Sequence, residues 1–413
     1  MGGALRILVL SNFYPPFSIG GYELGCHDIV EHLSARGHEV CVLTSSYGVD
    51  RPRVEGDVYR QLSIRTGACR RSLLSLLKFE LRDQGLLKRL LRELCPDAVV
   101  VFNLSNVSHG ILLTLQRTGA LVVFAFSDQW LQMEYPGDPW LNLWTRKAVH
   151  SWKQAIKRPL RRAIDLLTPV GVEPIEVRHA FFTSRRLKEL YIARRFPVES
   201  AGIIHWGVDT DRFRPRDRLG HSGVPKLLFA GRIHPEKGPL TAIEALGHIK
   251  ESGELGDALL SIVGPIQDDG YFKRIEDAIG QFRLQKNVRF MGKLPRDSMP
   301  DVYREHDIFV FPSVWEEPFS IALLEAMASG LAVVGTTTGG SGEVLEDYVN
   351  ALTFRAGDSH GMASRMGELL ADSSLRMRLS ANARRTVLER FDLQKMVDRI
   401  EGYIREVVEL REE

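Results

Sequence analysis

The chain has 413 residues, of which 44% are hydrophobic and 26% are charged, and its formal net charge is +2. These averages are typical of soluble globular proteins, and they exclude collagen-like, disordered and disulfide-stapled classes. Because this length exceeds the size at which one hydrophobic core normally stops growing, we expect two compact domains.

The amino-terminal half predicts a sheet of parallel strands joined by helices. Residues 6–10 predict a buried strand, residues 22–36 a helix that stops at Gly37, and residues 39–44 a second strand. A strand, a helix and a strand in close succession form a βαβ unit, whose crossover is right-handed and whose strands are parallel. Apolar runs without alternation predict further strands, covered on both faces, at residues 98–102 and 121–126.

The first half also carries an excess of positive charge. Residues 1–205 contain 27 Lys and Arg against 19 Asp and Glu, whereas residues 206–413 contain 27 against 33. Much of the excess lies in the basic segment 146–162, which contains no acid; its cations are Arg146, Lys147, Lys153, Lys157, Arg158, Arg161 and Arg162. Interleaved apolar residues make this segment a candidate amphipathic helix on an anionic membrane surface. A solvated helix face or a linker is the alternative.

The carboxyl-terminal half predicts a second parallel sheet, with strands at residues 226–230, 259–263, 288–291, 308–311 and 332–335. Residues rich in Gly, Pro, Asp and Arg separate the two sheets. We predict an amino-terminal domain at residues 1–206, a linker at 207–224, a carboxyl-terminal domain at 225–392 and a final helix at 393–413, whose end could cross back to the first domain. The fold class is α/β, with two doubly wound, Rossmann-like domains facing across a ligand-binding cleft.

Two glutamates in the second half are spaced for a long ligand. Pro318 suits the first position of a helix and Gly330 its end, which places Glu317 at the helix amino terminus and Glu325 about two turns later. Eight helical residues separate the carboxylates by roughly 12 Å, which matches the reach of a sugar nucleotide from ribose to hexose. The helix amino terminus offers N–H groups for phosphate. An amphipathic helix whose acids face water is the alternative.

Cations and glycines lie at the predicted carboxyl ends of other strands. Arg232 and Lys237 follow the strand at 226–230, where they can neutralise a diphosphate leaving group. A turn with surface cations is the alternative. Gly20 and Gly21 lie between the first strand and the first helix, where glycine lets backbone approach a ligand. The Gly-x-Gly-x-x-Gly pattern of nicotinamide dinucleotide binding is absent from that loop.

Taken in order, these motifs resemble those of the retaining glycosyltransferases of family four, which have the GT-B fold. The resemblance extends over essentially the whole chain and rests on Gly20-Gly21, Gly207-Val208-Asp209, Gly231-Arg232 with Lys237-Gly238, Glu317-x7-Glu325 and Gly339-Gly340-Ser341-Gly342-Glu343. It implies that Arg232 and Lys237 bind the donor diphosphate. It also implies that Glu317 binds the donor sugar and that Glu325 binds the ribose hydroxyls.

The resemblance further implies a phosphate seat built from backbone amides. The backbone amides of Gly20 and Gly21 would bind the distal phosphate region, and those of Phe319 and Ser320 would complete the phosphate-binding site. Members of this family transfer sugar with retention of configuration and need no metal. Stabilisation of the leaving group by Arg232 would, together with Lys237, supply most of the catalysis.

One position departs from the family pattern. After the strand predicted at 121–126, many members have a His-Asp pair whose His approaches the donor sugar, whereas this chain has Ser127-Asp128. The His is absent. Asp128 is a candidate catalytic residue that contacts donor hydroxyls or the acceptor, and a helix cap is the alternative.

The cysteines and the apolar runs bear on the compartment. Cys26, Cys41, Cys69 and Cys95 lie far apart, with no Cys-x-x-Cys pair and no His at metal-ligand spacing. The early apolar run is too short for a signal peptide or a membrane span. We therefore expect a cytoplasmic protein, with a peripheral position on the inner face of the membrane as a further option.

The sequence thus predicts transfer of a hexosyl unit from a nucleotide-diphosphate sugar to a hydroxyl of a glycan, a lipid or a small molecule. A sugar-nucleotide epimerase of similar architecture stays open, as does a sugar-nucleotide-binding protein that has lost catalysis, which Ser127 motivates. Asp209-Thr210-Asp211 spells a metal motif of another glycosyltransferase fold, but it lies in the linker and predicts a turn. We expect no metal, no cofactor and no nucleic-acid partner, since the basic segment has no recognition motif beside it.

Overall fold

The computed structural model describes residues 3–17, 20–65, 73–134, 138–145, 151–170, 174–198, 200–216 and 223–412. The chain divides into two compact units. The first unit comprises Met1–Thr183, Leu187–Ile204 and Val397–Glu413, and the second comprises Ser184–Arg186 and His205–Met396. Of the residues singled out in the sequence, Cys69, Arg146 and Lys147 lie outside the described residues, as does part of the predicted linker, 217–222.

The first unit is built on a sheet that has eight strands within the described residues. The strands are β1 (Arg6–Ser11), β2 (Glu39–Ser45), β3 (Arg53–Glu55), β4 (Val58–Leu62), β5 (Ala98–Val101), β6 (Val122–Phe126), β7 (His179–Phe182) and β8 (Gly202–Ile203). Their order is β3-β4-β2-β1-β5-β6-β7-β8. The helices are α1 (Tyr22–Ala35), α2 (Leu73–Leu94), α3 (Gly110–Thr118), α4 (Trp130–Glu134), α5 (Pro139–Thr145), α6 (Ser151–Asp165) and α7 (Arg185–Ala193).

This sheet confirms the strands predicted in the first half and adds an antiparallel pair at one edge. All neighbouring strands are parallel except β3 and β4, which form an antiparallel pair at one edge. β3 is exposed along its whole length, so it lacks the apolar run that signals a buried strand. The pair β3 and β4 therefore adds one antiparallel edge to a sheet that is otherwise parallel as predicted.

The second unit has six parallel strands within its described residues. They are β9 (Lys226–Ala230), β10 (Leu259–Val263), β11 (Val288–Gly292), β12 (Ile308–Phe311), β13 (Ala332–Thr336) and β14 (Leu352–Phe354), in the order β11-β10-β9-β12-β13-β14. The helices are α8 (Pro239–Glu251), α9 (Asp269–Gln281), α10 (Met299–Arg304), α11 (Ile321–Ala328), α12 (Ser359–Ala371), α13 (Ser373–Arg390) and α14 (Leu393–Glu412). The prediction of two parallel-sheet α/β domains is confirmed.

Strand order in the second unit decides which loops meet. β12 lies between β9 and β13, and both pairings are parallel. The loops that follow these three strands therefore leave the same edge of the sheet at neighbouring positions, where open α/β sheets bind their ligands.

The helix α14 completes the first unit with its carboxyl-terminal part. Ile400, Ile404 and Val407 are almost wholly buried. The Tyr403 hydroxyl contacts both backbone groups of Ala180 in β7, accepting from its N–H at 3.0 Å and donating to its carbonyl at 3.2 Å. No helix among the described residues is both long enough and apolar enough to cross a bilayer.

Candidate functional site

The loop after β9 carries both predicted cations. Arg232 comes first, and its side chain is 35% exposed. Its guanidinium donates to Gln267 Oε1 at 3.0 Å and lies 3.7 Å from Glu236 Oε2. Since a guanidinium has five N–H donors in a planar fork, Arg232 retains capacity to bind an oxyanion.

Lys237 ends a short 3₁₀ turn in the same loop. The turn, Pro235–Lys237, is followed by Gly238, whose φ of 66° lies in the left-handed region. A Cβ on Gly238 would lie 2.1 Å from the carbonyl oxygen of Pro312, directly after β12. Glycine is therefore required here both for the backbone angle and for the close approach of two loops.

Lys237 and Glu317 form a largely buried ion pair. The Lys237 ammonium donates to both Glu317 carboxylate oxygens at 2.6 Å, and the two side chains are 20% and 9% exposed. The Ser313 hydroxyl donates to Glu317 Oε2 at 3.3 Å. Lys237 and Glu317, which the resemblance assigns to the same donor molecule, are therefore in direct contact.

The loops after β9 and β12 are also joined through backbone. The carbonyl oxygen of Glu236 accepts from Val314 N–H at 3.0 Å, from Trp315 N–H at 3.3 Å and from the Ser313 hydroxyl at 3.2 Å. These contacts fix Lys237, the next residue, beside the segment that carries Glu317.

A third loop, after β13, packs against the backbone of Glu317. Gly340 N–H donates to the Glu317 carbonyl at 2.6 Å. A Cβ on Gly339 would lie 2.2 Å from that same oxygen, and one on Gly340 would lie 2.1 Å from the Pro318 carbonyl oxygen. The glycine-rich motif at 339–343 thus supports Glu317. We call the loops after β9, β12 and β13, residues 231–238, 312–320 and 337–343, the three-loop cluster.

The two adjacent glutamates of the cluster have different partners. Glu316 forms a bidentate pair with Arg186 at 2.7 and 3.0 Å, and its hydrogen bond to that arginine lowers the pKa of Glu316. Glu317 instead meets Lys237. The two neighbouring carboxylates therefore bind different cations, Glu316 at Arg186 and Glu317 on the cation loop.

The helix predicted from Pro318 begins later than expected. α11 starts at Ile321, where the Ser320 hydroxyl accepts from Leu323 N–H at 3.3 Å as an N-cap. The Glu317 carbonyl is held by Gly340 and takes no part in the helix. Placing Glu317 at the helix amino terminus, roughly 12 Å along the axis from Glu325, was therefore wrong, because a serine cap and a tertiary contact outcompete Pro318 as the helix start.

Glu325 and Phe319 are both buried, at separate positions. Glu325, on α11, accepts from the Tyr303 hydroxyl at 3.0 Å. Burial, together with the nearby charge of Glu325, raises the pKa of Tyr303. The Phe319 ring packs against His205 and Phe391, with centroids 5.1 and 5.6 Å apart, which anchors the backbone that leads into α11.

In the first unit, Gly20 and Gly21 lead into α1, and Ser18 and Ile19 before them lie outside the described residues. The Gly20 N–H donates to Glu23 Oε2 at 2.9 Å, and Glu23 is wholly buried in the first turn of the helix. Gly21 is the N-cap residue. The Gly20 amide predicted to meet phosphate therefore has a carboxylate as its partner in this structure.

Asp128 follows β6 and accepts two hydrogen bonds. Its Oδ1 accepts from Trp130 N–H at 2.9 Å, at the start of α4, and its Oδ2 accepts from the Asn103 amide at 2.7 Å. The first contact is that of a helix cap, the alternative weighed for this residue. Asn103 follows β5, the strand next to β6, so the sheet holds the Asp128 carboxylate at its carboxyl-terminal edge.

A buried charged cluster in the first unit was not anticipated from sequence. Arg65 pairs with Glu80 and, at 3.0 Å, with Asp138, which also accepts from His109 Nδ1 at 3.1 Å. Burial raises the pKa of Glu80 to about 7, although Arg65 opposes the shift. Burial has the same effect on Asp138, but His109 and Arg65 outweigh it and hold the pKa of Asp138 below its usual range. These residues are far apart in sequence, so no local pattern marks them.

Other supporting residues had a signal that the sequence analysis did not use. Ser313, like Arg232, comes shortly after a predicted strand, which is the position that open α/β sheets give to ligand-binding residues. Gly238 was noted only as part of a motif. Among the described residues, no group of three or more His, Cys, Asp and Glu is arranged to hold a metal ion.

Comparison with known protein families identifies the class. Residues 211–386 match the model described as "Glycosyl transferases group 1", and residues 20–180 match the "Glycosyl transferase 4-like domain". Together the two matches cover most of the chain. The chain belongs to the group 1 glycosyltransferases of the family-four type, which confirms the predicted family at this level.

Individual proteins resemble the chain over nearly its full length. An uncharacterized glycosyltransferase of Methanocaldococcus jannaschii is 26% identical over 409 residues, which is 94% of each chain. A glycosyltransferase of Rickettsia africae superposes with a TM-score of 0.70 at 18% identity, covering 98% of this chain and 99% of that one. HepE of Anabaena, solved in complex with UDP-glucose, gives a TM-score of 0.68 at 18% identity, with coverage of 97% and 100%. The two solved structures confirm the GT-B fold.

Proposed function

We propose that this glycosyltransferase moves a hexosyl unit from a nucleotide-diphosphate sugar to an acceptor hydroxyl with retention of configuration. The observation that carries the proposal is the Lys237–Glu317 pair at the edge of the second sheet, with Arg232 on the same loop. Cations suit a diphosphate, and a buried carboxylate suits sugar hydroxyls. The UDP-glucose bound to the fold relative HepE supports the same class of donor.

The chemistry assigned to these residues is stabilisation of the leaving group. The bond between the anomeric carbon and the diphosphate oxygen breaks, the acceptor oxygen bonds to that carbon from the same face, and the hydroxyl proton passes to the departing diphosphate. Arg232 and Lys237 neutralise the charge that develops on the diphosphate. Glu317 orients the sugar, Glu325 takes the ribose hydroxyls, and the amides of Phe319 and Ser320 hold phosphate.

In the first unit, we assign Asp128 to the donor hydroxyls or the acceptor, and the amides of Gly20 and Gly21 to the distal phosphate region. Because the Gly20 amide donates to Glu23, donor binding there requires that carboxylate to move or a phosphate to reach a neighbouring amide. The acceptor is a hydroxyl of a glycan, a lipid or a small molecule. A cytoplasmic location, at the inner face of the membrane, is part of the proposal.

A panel of donors tests the binding step. Thermal shifts with UDP, GDP, ADP and dTDP sugars should reveal one preferred base, since a ligand at 100 times its dissociation constant stabilises by about 2.7 kcal/mol. Arg232→Ala and Glu317→Ala should each abolish the shift and the consumption of donor. Arg289→Ala and Glu389→Ala, which remove exposed charges of the same unit, are the matched controls. Full activity in both site variants would refute the site assignment.

The same assay separates the two alternatives. An epimerase would release an altered sugar and free nucleotide without any acceptor. A protein that binds sugar nucleotides without catalysis would show the thermal shift but no turnover with any acceptor; Ser127, which stands where the family pattern has His, motivates this possibility.

Independence from metal is a further part of the proposal. Arg232 and Lys237 supply positive charge of the kind that a divalent cation supplies in other transferases. Donor consumption should therefore be unchanged by an excess of EDTA, and a loss that magnesium restores would refute this part.

A further inference from the structure

A buried arginine in the first unit contacts the loop that leads to Gly20. Arg60, on β4, has a side chain that is only 3% exposed, and its Nε donates to Glu55 Oε2 at 2.6 Å. Its Nη1 donates to the Tyr14 carbonyl oxygen at 3.0 Å, and its Nη2 donates to the Pro15 carbonyl oxygen. A buried charge is costly unless its N–H groups have partners, so these two carbonyls help to keep the guanidinium in place.

Both carbonyls belong to the loop after β1, residues 12–21, which we call the β1 loop. Within it, the Phe17 N–H donates to the Tyr14 carbonyl oxygen at 3.3 Å and closes a turn. The Arg60 guanidinium carbon lies 5.9 Å from the centroid of the Tyr14 ring and 5.3 Å from that of the Phe17 ring. Aromatic faces attract a cation at such distances, so Arg60 holds both the backbone and the rings of the β1 loop.

A glycine of the loop after β2 lies against the same phenylalanine. Gly48 has a φ of 79°, and a Cβ on it would lie 2.2 Å from Phe17 Cδ1. Gly56, in the turn between β3 and β4, has a φ of 57°, but a Cβ on it would meet nothing within 4 Å. The observed position of the Phe17 ring therefore requires glycine at position 48, whereas Gly56 serves only the backbone angle.

We propose that Arg60 is a positioning residue for the sugar-nucleotide donor, which fixes the β1 loop and thereby the place of the Gly20 and Gly21 amides. The inference rests on the proposed function, which assigns those amides to the distal phosphate region of the donor. Phe17 and Gly20 are three residues apart, so their Cα atoms lie within about 11 Å of each other. A displacement of the turn at Phe17 therefore reaches the amides, without any contact between Arg60 and the donor.

Arg53 is a matched control for the charge of Arg60. The two residues lie opposite each other in the antiparallel pair of β3 and β4. Arg53 Nη2 lies 2.5 Å from Glu55 Oε1, and the Arg53 side chain is 53% exposed. Both arginines therefore pair with the same carboxylate, but of their contacts among the described residues only those of Arg60 reach the β1 loop.

Nucleotide binding to the full chain separates positioning from folding. Calorimetric titration compares the nucleoside diphosphate of the base that the donor panel selects, such as UDP, with its monophosphate, such as UMP, which lacks the distal phosphate. Arg60→Gln should weaken the diphosphate about tenfold or more and leave the monophosphate unchanged, because only the distal phosphate loses its amides. Arg60→Lys, which keeps the charge but lacks the planar fork, should fall between. Arg53→Gln should change neither affinity.

Gly48→Ala displaces the β1 loop without changing any charge. The added methyl group pushes the Phe17 ring away, so the affinity for the diphosphate should fall as it does in Arg60→Gln. Gly56→Ala introduces similar backbone strain without the collision and should keep that affinity. This pair decides the question even if Arg60→Gln does not fold.

Steady-state kinetics give a second readout, which a loss of stability alone does not move. Arg60→Gln should raise the KM for the donor roughly tenfold and change kcat little, because the amides bind the phosphate alike in the ground state and in the transition state. The inference is overturned if Arg60→Gln weakens both nucleotides equally, or if it lowers the melting temperature but keeps both affinities.

Failure of the proposed function gives a different pattern. If the unaltered protein binds neither nucleotide, it has no donor site, and the inference falls together with the proposed function. If it binds the diphosphate in a manner that depends on Arg60 but transfers no sugar, the transferase proposal fails, whereas the role of Arg60 in diphosphate binding stands.

Discussion

At the scale of single residues, the three-loop cluster contains an ion pair, Lys237–Glu317, whose two side chains are largely buried. Glu317 is 7% exposed as a whole residue and has its carboxylate between Lys237 and Ser313. Removing one partner of a buried pair costs more than removing both, because the remaining charge is left without compensation. The pair should therefore show strong coupling in stability as well as in donor binding.

A double-mutant cycle checks this coupling. Lys237→Met should lower the free energy of unfolding by about 1 to 3 kcal/mol, and adding Glu317→Gln should restore part of that loss. Urea denaturation without donor measures the free energy of unfolding of the single variants and of the double variant. Strictly additive losses would contradict the ion pair.

Glu80 should make stability depend on pH. The folded-state pKa of Glu80, about 7, lies above its ordinary value of 4.5, so the folded chain binds more protons than the unfolded chain between these values. The stabilisation is complete below pH 4.5 and is lost as the pH rises through 7. Glu80→Gln removes this titration, so the unaltered protein should lose about 2 kcal/mol or more relative to the variant between pH 4.5 and 7.5. If the free energy of unfolding changes equally with pH in the two proteins, the raised pKa of Glu80 is contradicted.

At the scale of elements, glycines decide how closely the loops of the cluster approach one another. Gly238, Gly339 and Gly340 each lie where a Cβ would collide with backbone of the loop after β12. Their side-chain hydrogen therefore sets the distance between the cation loop and the Glu317 segment. The loops after β9, β12 and β13 are neighbours because the strands are, and the glycines turn that proximity into contact.

A comparison of Gly238→Ala with Gly253→Ala tests whether Gly238 is needed for the close approach of the two loops. Gly253 also has a positive φ, of 82°, but a Cβ there would meet nothing within 4 Å. Gly253→Ala should cost only the backbone strain, about 1 to 2 kcal/mol. Gly238→Ala should cost clearly more and should abolish the donor thermal shift, because it pushes Lys237 away from Glu317. Equal costs and an intact shift in both variants would contradict the close approach.

At the scale of the whole molecule, the chain order does not follow the division into units. Val397–Glu413 belongs to the first unit although the preceding residues, His205–Met396, form most of the second. The Glu401 carboxylate forms an ion pair with the Arg36 guanidinium at 2.9 Å and lies 3.2 Å from His38 Nε2. These contacts join α14 to the amino-terminal part of the chain. The stability of the first sheet therefore depends on the last residues of the chain.

Ile404→Ala measures that dependence. Ile404 is 1% exposed, and its truncation should destabilise the first unit by about 2 to 4 kcal/mol. Hydrogen exchange should accelerate in β1 and β5–β7 while β9–β13 keep their protection. Leu410→Ala, at a residue 60% exposed on the same helix, is the control. Loss of protection in the second sheet to the same extent would show that the two units unfold together.

Strands covered on both faces were predicted well because their apolar runs are continuous, and β1, β2, β5, β6 and β9–β13 were all anticipated. β3 is exposed, and β8 and β14 have only two and three residues. β4 is interrupted by Arg60 and Gln61, and β7 has only three consecutive apolar residues, so neither carries a long apolar run. The positions of Arg232, Lys237 and Glu317 after strands of the second sheet were also predictable, whereas their roles in binding stay a prediction. The start of α11 was not, because a serine cap and the contact with Gly340 override the proline.

By itself, the sequence determined the α/β class and the parallel sheets and supplied the chemical groups of the candidate site, because apolar periodicity and residue type are local properties. Only the tertiary structure decided that Glu317 rather than Glu316 faces Lys237, that Asp128 is held by Asn103, and that Glu80 shares Arg65 with Asp138. Those outcomes depend on which strands are neighbours and on how closely backbones can approach, and residues far apart in the chain set both.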